Sequence, residues 1–237
     1  MQGVNRDSRA GISCPRAVAL DRPGNSVYLI RDLVHESGEH MSKARAKIDT
    51  KQALIRAGTE ICTEQGFQVT GIEEVLKRVG VPKGSFYHFF SSKHEFGEAV
   101  IENYAQYFAR LLDRILLDES RRPLQRLKAF VEEAERGMAK YKFRRGCLVG
   151  NLGQELGGLD EAFRNRLEAV LLSWQQRTAA CLAEAVAVGD LPSDADVERL
   201  AEFFWIGWEG AILRSKLSRS VTPLRHFADL YFSKVLT

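Results

Sequence analysis

Two clusters in this 237-residue sequence combine residue types that could do chemistry. In Val81-Pro82-Lys83-Gly84-Ser85-Phe86-Tyr87-His88-Phe89-Phe90, polar residues interleave with aromatic ones. A lysine can reach guanine O6 and N7, a serine can donate or accept at a base edge, and a glycine lets the backbone approach. Thr70, Tyr87, His88 and Lys93 add hydroxyl, ring-nitrogen and ammonium groups suited to flanking phosphates. Lys47 lies upstream in a basic arm, Ser-Lys-Ala-Arg-Ala-Lys. The second cluster centres on Cys147, which follows Arg144 and Arg145. Adjacent cations and a helix N-terminus both favour a thiolate and lower its pKa. A thiolate could add to an activated alkene or be oxidised. The competing reading of Cys147 is a small buried residue where two helices meet.

Further binding candidates lie around that cysteine. Trp174, Trp205 and Trp208 could wall a pocket between helices, and tryptophan equally fills a core. A small carboxylate ligand needs a cation or convergent donors. Arg145, Asn151, Gln154 and Arg214 supply such groups, although each also fits a surface or packing role. Glu209 sits on an otherwise apolar face and must be paired if buried; an indole or an arginine across a dimer would serve.

Other chemistries find no support. There is no P-loop, GxSxG elbow or HExxH pattern, so no catalytic residue is assigned and an enzyme is not expected. Gly150, Gly153, Gly157 and Gly158 are spaced as on a helix, and Glu132-Glu133 reads as a solvated face. The four cysteines (Cys14, Cys62, Cys147, Cys181) lie far apart, without zinc-ligand spacing. No metal and no cofactor is expected. Cys62 and Cys181 fall in helical patterns and read as core. No apolar stretch reaches the ~18 residues that would span a bilayer, and with no secretory signal the expected compartment is the cytoplasm.

Hydrophobic residues make up 45% and charged residues 27%, which excludes a mostly disordered chain. Few prolines and much Ala, Leu, Glu and Arg point to helices. The net charge of +3 is confined to residues 41–95, with nine basic and six acidic side chains; the flanking segments balance. A polyanion-binding surface belongs in that segment. Residues 1–42 lack periodicity and are expected to be a disordered or non-native extension, with Met41 a candidate start.

From residue 50 the periodicity becomes helical. Ala53, Leu54, Ala57, Ile61 and Cys62 share a face, and the helix stops near Gln65-Gly66. Thr70 followed by Glu73 matches a capping box, so Thr70 is expected to start the second helix. Ile72, Val75, Leu76 and Val79 form its apolar face, and Gly80 ends it. Pro82 suits the first turn of a third helix, and Ser91 or Ser92 caps a fourth. Two short helices joined by a tight glycine turn form a helix-turn-helix, whose second helix enters the major groove N-terminus first. The full string Phe67-x-x-Thr70-x-x-x-Glu74-x-x-x-x-x-Gly80-Val81-x-x-Gly84-x-Phe86-Tyr87-x-x-Phe90-x-x-Lys93 resembles the DNA-binding domain of TetR-family repressors. The resemblance covers about residues 48–100.

The remainder reads as helices over 93–117, from Pro123 to about Lys140, from Gly146-Cys147 to Gly157-Gly158, over 159–188 and 195–216, and a short one after Pro223. Leu191-Pro192-Ser193-Asp194 is a loop with a cap. The expected fold is all-α: a three-helix DNA-binding domain over 43–92 and a helical ligand-binding and dimerisation domain over 93–237. The family resemblance implies a homodimer through the helices at about 160–188 and 195–216, a pseudo-palindromic double-stranded DNA operator and a small-molecule effector. Leu167, Val170, Leu171, Trp174, Leu182, Phe203, Phe204, Gly207 and Ala211 are the candidate dimer surface. The segments Phe143–Glu155 and Phe204–Arg214 look like the acrylate-responsive repressors of dimethylsulfoniopropionate catabolism. A related subfamily senses electrophiles or oxidants through cysteines, which leaves Cys147 open to that role.

Overall fold

The computed structural model describes the backbone of residues 38–236 and the side chains of 49–236. The expectations for residues 1–37, and for the Lys47 side chain, lie outside the described residues. Within them the chain is helical: α1 (Gly38–Gln65), α2 (Ile72–Val79), α3 (Gly84–Phe89), α4 (Lys93–Leu116), α5 (Pro123–Lys140), α6 (Leu148–Leu156), α7 (Glu161–Ala187), α8 (Val197–Ser218) and α9 (Thr222–Leu230). One π-helical turn, Tyr231–Val235, continues α9.

Local chemistry explains most boundaries. Gly66 leaves α1 with φ +93°, and Gly80 leaves α2 with φ +77°, both in the left-handed region that a side chain would strain. At Gly80 the N–H groups of Gly80 and Val81 both return to the Leu76 carbonyl, which satisfies the end of α2. Ser92 caps α4, its Oγ accepting the Glu95 N–H, while the Glu95 carboxylate accepts from Ser91 N (2.7 Å) and Oγ (2.6 Å). Asp160 caps α7 through the Phe163 N–H at 3.0 Å.

Two expected caps differ. α2 starts from Gly71, without a side-chain cap. Thr70 is instead buried, and its hydroxyl donates to the Gly66 carbonyl at 2.5 Å. The tight turn needs that donor more than the helix needs a cap. Likewise α8 is capped by Asp196, which accepts the Arg199 N–H at 3.1 Å, so the helix begins beyond the expected Asp194-Ala195 start.

The core is aromatic. Trp174 and Trp205 lie 4.9 Å apart, Phe108 packs on Trp174 at 4.3 Å, and Phe130 and Phe204 connect them to Trp208. Each such ring fully removed from water contributes about 1.5–3 kcal/mol or more. Cys62 and Cys181 are buried within this apolar interior, as the helical pattern suggests.

The core also takes back most of the expected dimer surface. Leu167, Val170, Trp174, Leu182, Phe204 and Ala211 are buried inside the single chain, and Leu171 and Gly207 are half-buried. Of that set Phe203 alone is exposed. The outward apolar row on α8 is Phe203, Ile206, Leu213 and Leu217, and Leu172 projects from α7. Three large rings inside α7 and α8 rotate these helices so that the heptad row next to the expected one faces out.

Candidate nucleic-acid interface and effector site

α3 is wedged in place by its own aromatic residues. Phe86 is fully buried, and it meets Phe90 at 5.3 Å and Phe96 at 5.2 Å. Because α3 has six residues, burying Phe86 and Phe90 turns Lys83, Gly84, Tyr87 and His88 to solvent, with Ser85 half-buried. This is the face the sequence assigns to base edges. Nothing lies within 4 Å of a Cβ placed on Gly84. Glycine there answers to no neighbour within the chain.

Lys83 and Glu73 form an exposed ion pair at 2.8 Å between α3 and α2. The pairing raises the Lys83 pKa and lowers that of Glu73. Lys93 has committed its ammonium too: it donates to the Gln68 carbonyl at 2.9 Å and lies 4.9 Å from the centre of the Phe67 ring. Thr70, expected at a phosphate, has its hydroxyl turned inward to Gly66 and Cys62.

The second site is a buried polar cluster between α4, α6 and α8. Cys147 is the N-cap of α6, as its place near a helix start suggests, and its Sγ accepts the Gly150 N–H at 3.4 Å. The Glu209 carboxyl reaches down from α8 against the same turn and hydrogen-bonds the Cys147 thiol. A Cβ on Gly150 would stand 2.2 Å from Glu209 Oε2, so glycine there makes room for the carboxylate. The hydroxyl of Tyr104, from α4, interacts with the Cys147 thiol and the Leu148 backbone.

These neighbours reverse the expected reactivity of Cys147. Burial and then the Glu209 charge push its thiol well above the ordinary range. Of the two flanking cations that should have lowered it, Arg145 is engaged elsewhere. Arg145 binds Glu64 at 2.9 Å and Glu60 at 3.3 Å on α1, and stacks over Tyr141. Burial also pushes the Glu209 carboxyl up to about 7. Its partner is the thiol, and not an indole or an arginine: the Trp205 indole donates to Thr178 Oγ1 at 3.0 Å.

The remaining candidates divide. Trp174, Trp205 and Trp208 are all buried core. Asn151 donates to the Thr63 carbonyl at 3.1 Å, while Gln154 and Arg214 are exposed. An open cavity of about 380 Å³ lies between the start of α8 and the C-terminal turn, lined by Asp194, Arg199, Leu200, Phe203 and Leu236 among others. None of the expected effector residues lines it. Sequence reasoning missed Tyr104 as a member of the polar cluster. It missed Glu155 entirely, whose carboxylate accepts the Phe67 and Gln68 N–H groups. Neither has a local signal, because the partners come from distant segments.

Among the described residues no His/Cys/Asp/Glu group could hold a metal ion, and no helix is long and apolar enough to cross a membrane.

Comparison with known proteins agrees with this architecture. Residues 54–100 match the family described as "Bacterial regulatory proteins, tetR family", and residues 123–231 match "Tetracyclin repressor-like, C-terminal domain". The chain is 57% identical over 180 residues to the transcriptional regulator AcuR of Cereibacter sphaeroides, covering 76% of this chain and 82% of that protein. It is 31% identical over 195 residues to the HTH-type transcriptional repressor DhaR of a Mycobacterium species, covering 81% and 94%. A crystal structure of a regulatory protein TetR from Rhodobacter sphaeroides superposes with a TM-score of 0.75 at 55% identity, covering 77% of this chain and 97% of that one. The relatives and the fold are those of regulators and not of enzymes. The chain belongs to the TetR family of transcriptional regulators.

Proposed function

We propose that the protein is a cytoplasmic, homodimeric repressor that binds a pseudo-palindromic operator and releases it when a small effector binds. The observation that carries this reading is the outward face of α3. Lys83, Gly84, Tyr87 and His88 are presented together on a short helix held by Phe86 and Phe90. In this reading Lys83, Gly84 and Ser85 read base edges, and Tyr87, His88, Lys93 and Lys47 contact phosphates. Lys83 exchanges Glu73 for guanine on binding.

The dimer is supported by the unpartnered row on α8, where Phe203, Ile206, Leu213 and Leu217 recur at heptad spacing with 49–70% of their surface exposed. Such a row on a soluble chain marks an interface. A two-fold dimer places one recognition helix on each half-site. Effector binding then shifts α4, which joins the two domains, and changes the spacing of the recognition helices. A coupling of ~1–3 kcal/mol changes occupancy roughly 5–150-fold.

Acrylate or a related small acid is the effector class supported by the resemblance of the Phe143–Glu155 and Phe204–Arg214 segments to acrylate-responsive repressors. A covalent cysteine sensor is the weaker reading, because burial and Glu209 suppress the Cys147 thiolate. The test is a titration of the protein, at fixed salt, on the DNA upstream of its own gene with and without acrylate. Tight specific binding that acrylate weakens supports the proposal. Binding indifferent to acrylate removes the effector assignment, and no specific binding removes the regulatory reading of α3.

A further inference from the structure

The Lys83–Glu73 ion pair lies on the face assigned to DNA. Glu73 stands in the first turn of α2, and its carboxylate meets the Lys83 ammonium, at the start of α3, at 2.8 Å. Other carboxylates of the same segment are bound elsewhere: Glu60 and Glu64 to Arg145, Glu74 to Gln65 and Glu95 to Ser91. The two side chains are 68% and 79% exposed. A pair this open to water adds little to stability, so folding gives no reason for an acid beside the recognition lysine. Binding gives a reason against it, because a carboxylate facing a polyanion weakens every complex in which it finds no donor.

The exchange of Glu73 for guanine at Lys83 satisfies only half of the pair. The released carboxylate needs a hydrogen-bond donor of its own. The major-groove edge of a G·C pair has one: guanine presents N7 and O6 as acceptors, and cytosine presents its N4 amino group as donor. N4 and O6 are joined by a base-pairing hydrogen bond and stand about 2.9 Å apart. The Lys83 ammonium and the Glu73 carboxylate stand 2.8 Å apart. The protein thus carries a donor and an acceptor at the separation at which the base pair carries an acceptor and a donor. The second N4 hydrogen, unused in base pairing, points into the groove. A phosphate offers acceptors alone, so Glu73 gains nothing there. An A·T edge places its donor between two acceptors, which leaves the ammonium no adjacent pair of acceptors.

We propose that Glu73 is a specificity-determining residue that accepts from cytosine N4 in the same base pair whose guanine Lys83 reads. The ion pair opens onto one G·C pair, each charge taking the complementary group. This rests on the DNA-binding reading above and adds to the α3 face a second reader, delivered by α2.

The test begins with duplexes that the wild-type protein selects from a random-sequence pool. Lys83→Ala then locates the G·C pair whose preference it relaxes. At that pair cytosine is replaced by 2-pyrimidinone, which lacks the N4 amino group. Affinities of the wild type and of Glu73→Ala are measured on both duplexes at fixed salt. Loss of the amino group is expected to weaken the wild type about tenfold and Glu73→Ala less than about twofold. Comparing the two proteins cancels the base-pairing hydrogen bond that the analogue also removes. On random-sequence duplex, Glu73→Ala is expected to bind more tightly than the wild type, with a salt slope steeper by about one charge per protomer, because Lys83 is freed for phosphate. Equal losses in the two proteins overturn the proposal and leave Glu73 as a holder of Lys83. No loss in the wild type also overturns it, the result expected if Glu73 turns to Lys77, one helical turn further along α2. A selected site with no G·C pair sensitive to Lys83→Ala overturns it too. A wild-type protein that selects no sequence refutes the DNA-binding reading itself, and the proposal falls with it.

Discussion

Replacing Glu209 by glutamine should change how stability depends on pH, with a sign and size that follow from the cluster. Burial raises the Glu209 carboxyl from 4.5 to about 7. The folded protein therefore holds a proton there that the unfolded chain has released. Such a group contributes its full stability below the unfolded pKa, and the contribution is lost as pH rises through the folded pKa. The window is thus pH 4.5 to about 7. Each pKa unit is worth 1.36 kcal/mol, so the loss across the window is on the order of 3 kcal/mol. Glutamine has the same shape and no charge to release. The variant should match the wild type near pH 5 and exceed it by on the order of 3 kcal/mol above pH 8. For a chain of this size that corresponds to roughly 6–12 °C in melting temperature. The assay is thermal unfolding of both proteins at equal concentration from pH 5 to pH 8.5, read as the difference between the two curves so that other titrating groups cancel. A difference that stays flat with pH, or that favours the wild type at high pH, would refute the placement of an ionisable Glu209 in a desolvated cluster.

Other perturbations test the remaining sites. Lys83→Ala should lower operator affinity by about 1–3 kcal/mol and relax preference at one base pair, whereas Lys93→Ala should weaken all sequences alike and reduce the salt slope by about one charge; affinities on matched and mismatched duplexes at several salt concentrations separate the two. N-ethylmaleimide at pH 7 should label Cys147 in the folded protein at least roughly tenfold more slowly than a model cysteine peptide; peptide mapping gives the rate, and equal rates would restore a reactive-thiol role. Ile206→Asp should place a charge at the centre of the α8 row and yield a particle near 26.7 kDa by light scattering, where the wild type is expected to give twice that mass.

The parts of this molecule that could be read from sequence are those whose causes are local. The stretch from α2 to the start of α4 is legible because its signals lie within a few residues of the structure they produce: the apolar period of Ile72, Val75, Leu76 and Val79, the left-handed Gly80, and the Ser92–Glu95 cap of α4. Even there a local pattern misleads when a competing local bond is stronger. Thr70-x-x-Glu73 has the form of a capping box, yet the threonine hydroxyl closes the Gly66 turn instead. The polar cluster fails for the opposite reason. The charges next to Cys147 in sequence predict a lowered pKa, but Arg145 turns to α1, and burial, then the Glu209 charge delivered by packing, raise it instead. Glu155 likewise finds its donors 88 and 87 residues earlier in the chain. The same packing hides the outward face of α7 and α8, because a heptad row and its neighbour look equally apolar until Trp174, Trp205 and Trp208 choose the inner one. Sequence spacing thus identifies the element proposed to meet DNA. What that element is attached to depends on tertiary contacts, and these tie the α1–α2 turn to α6, whose other end lies under Glu209.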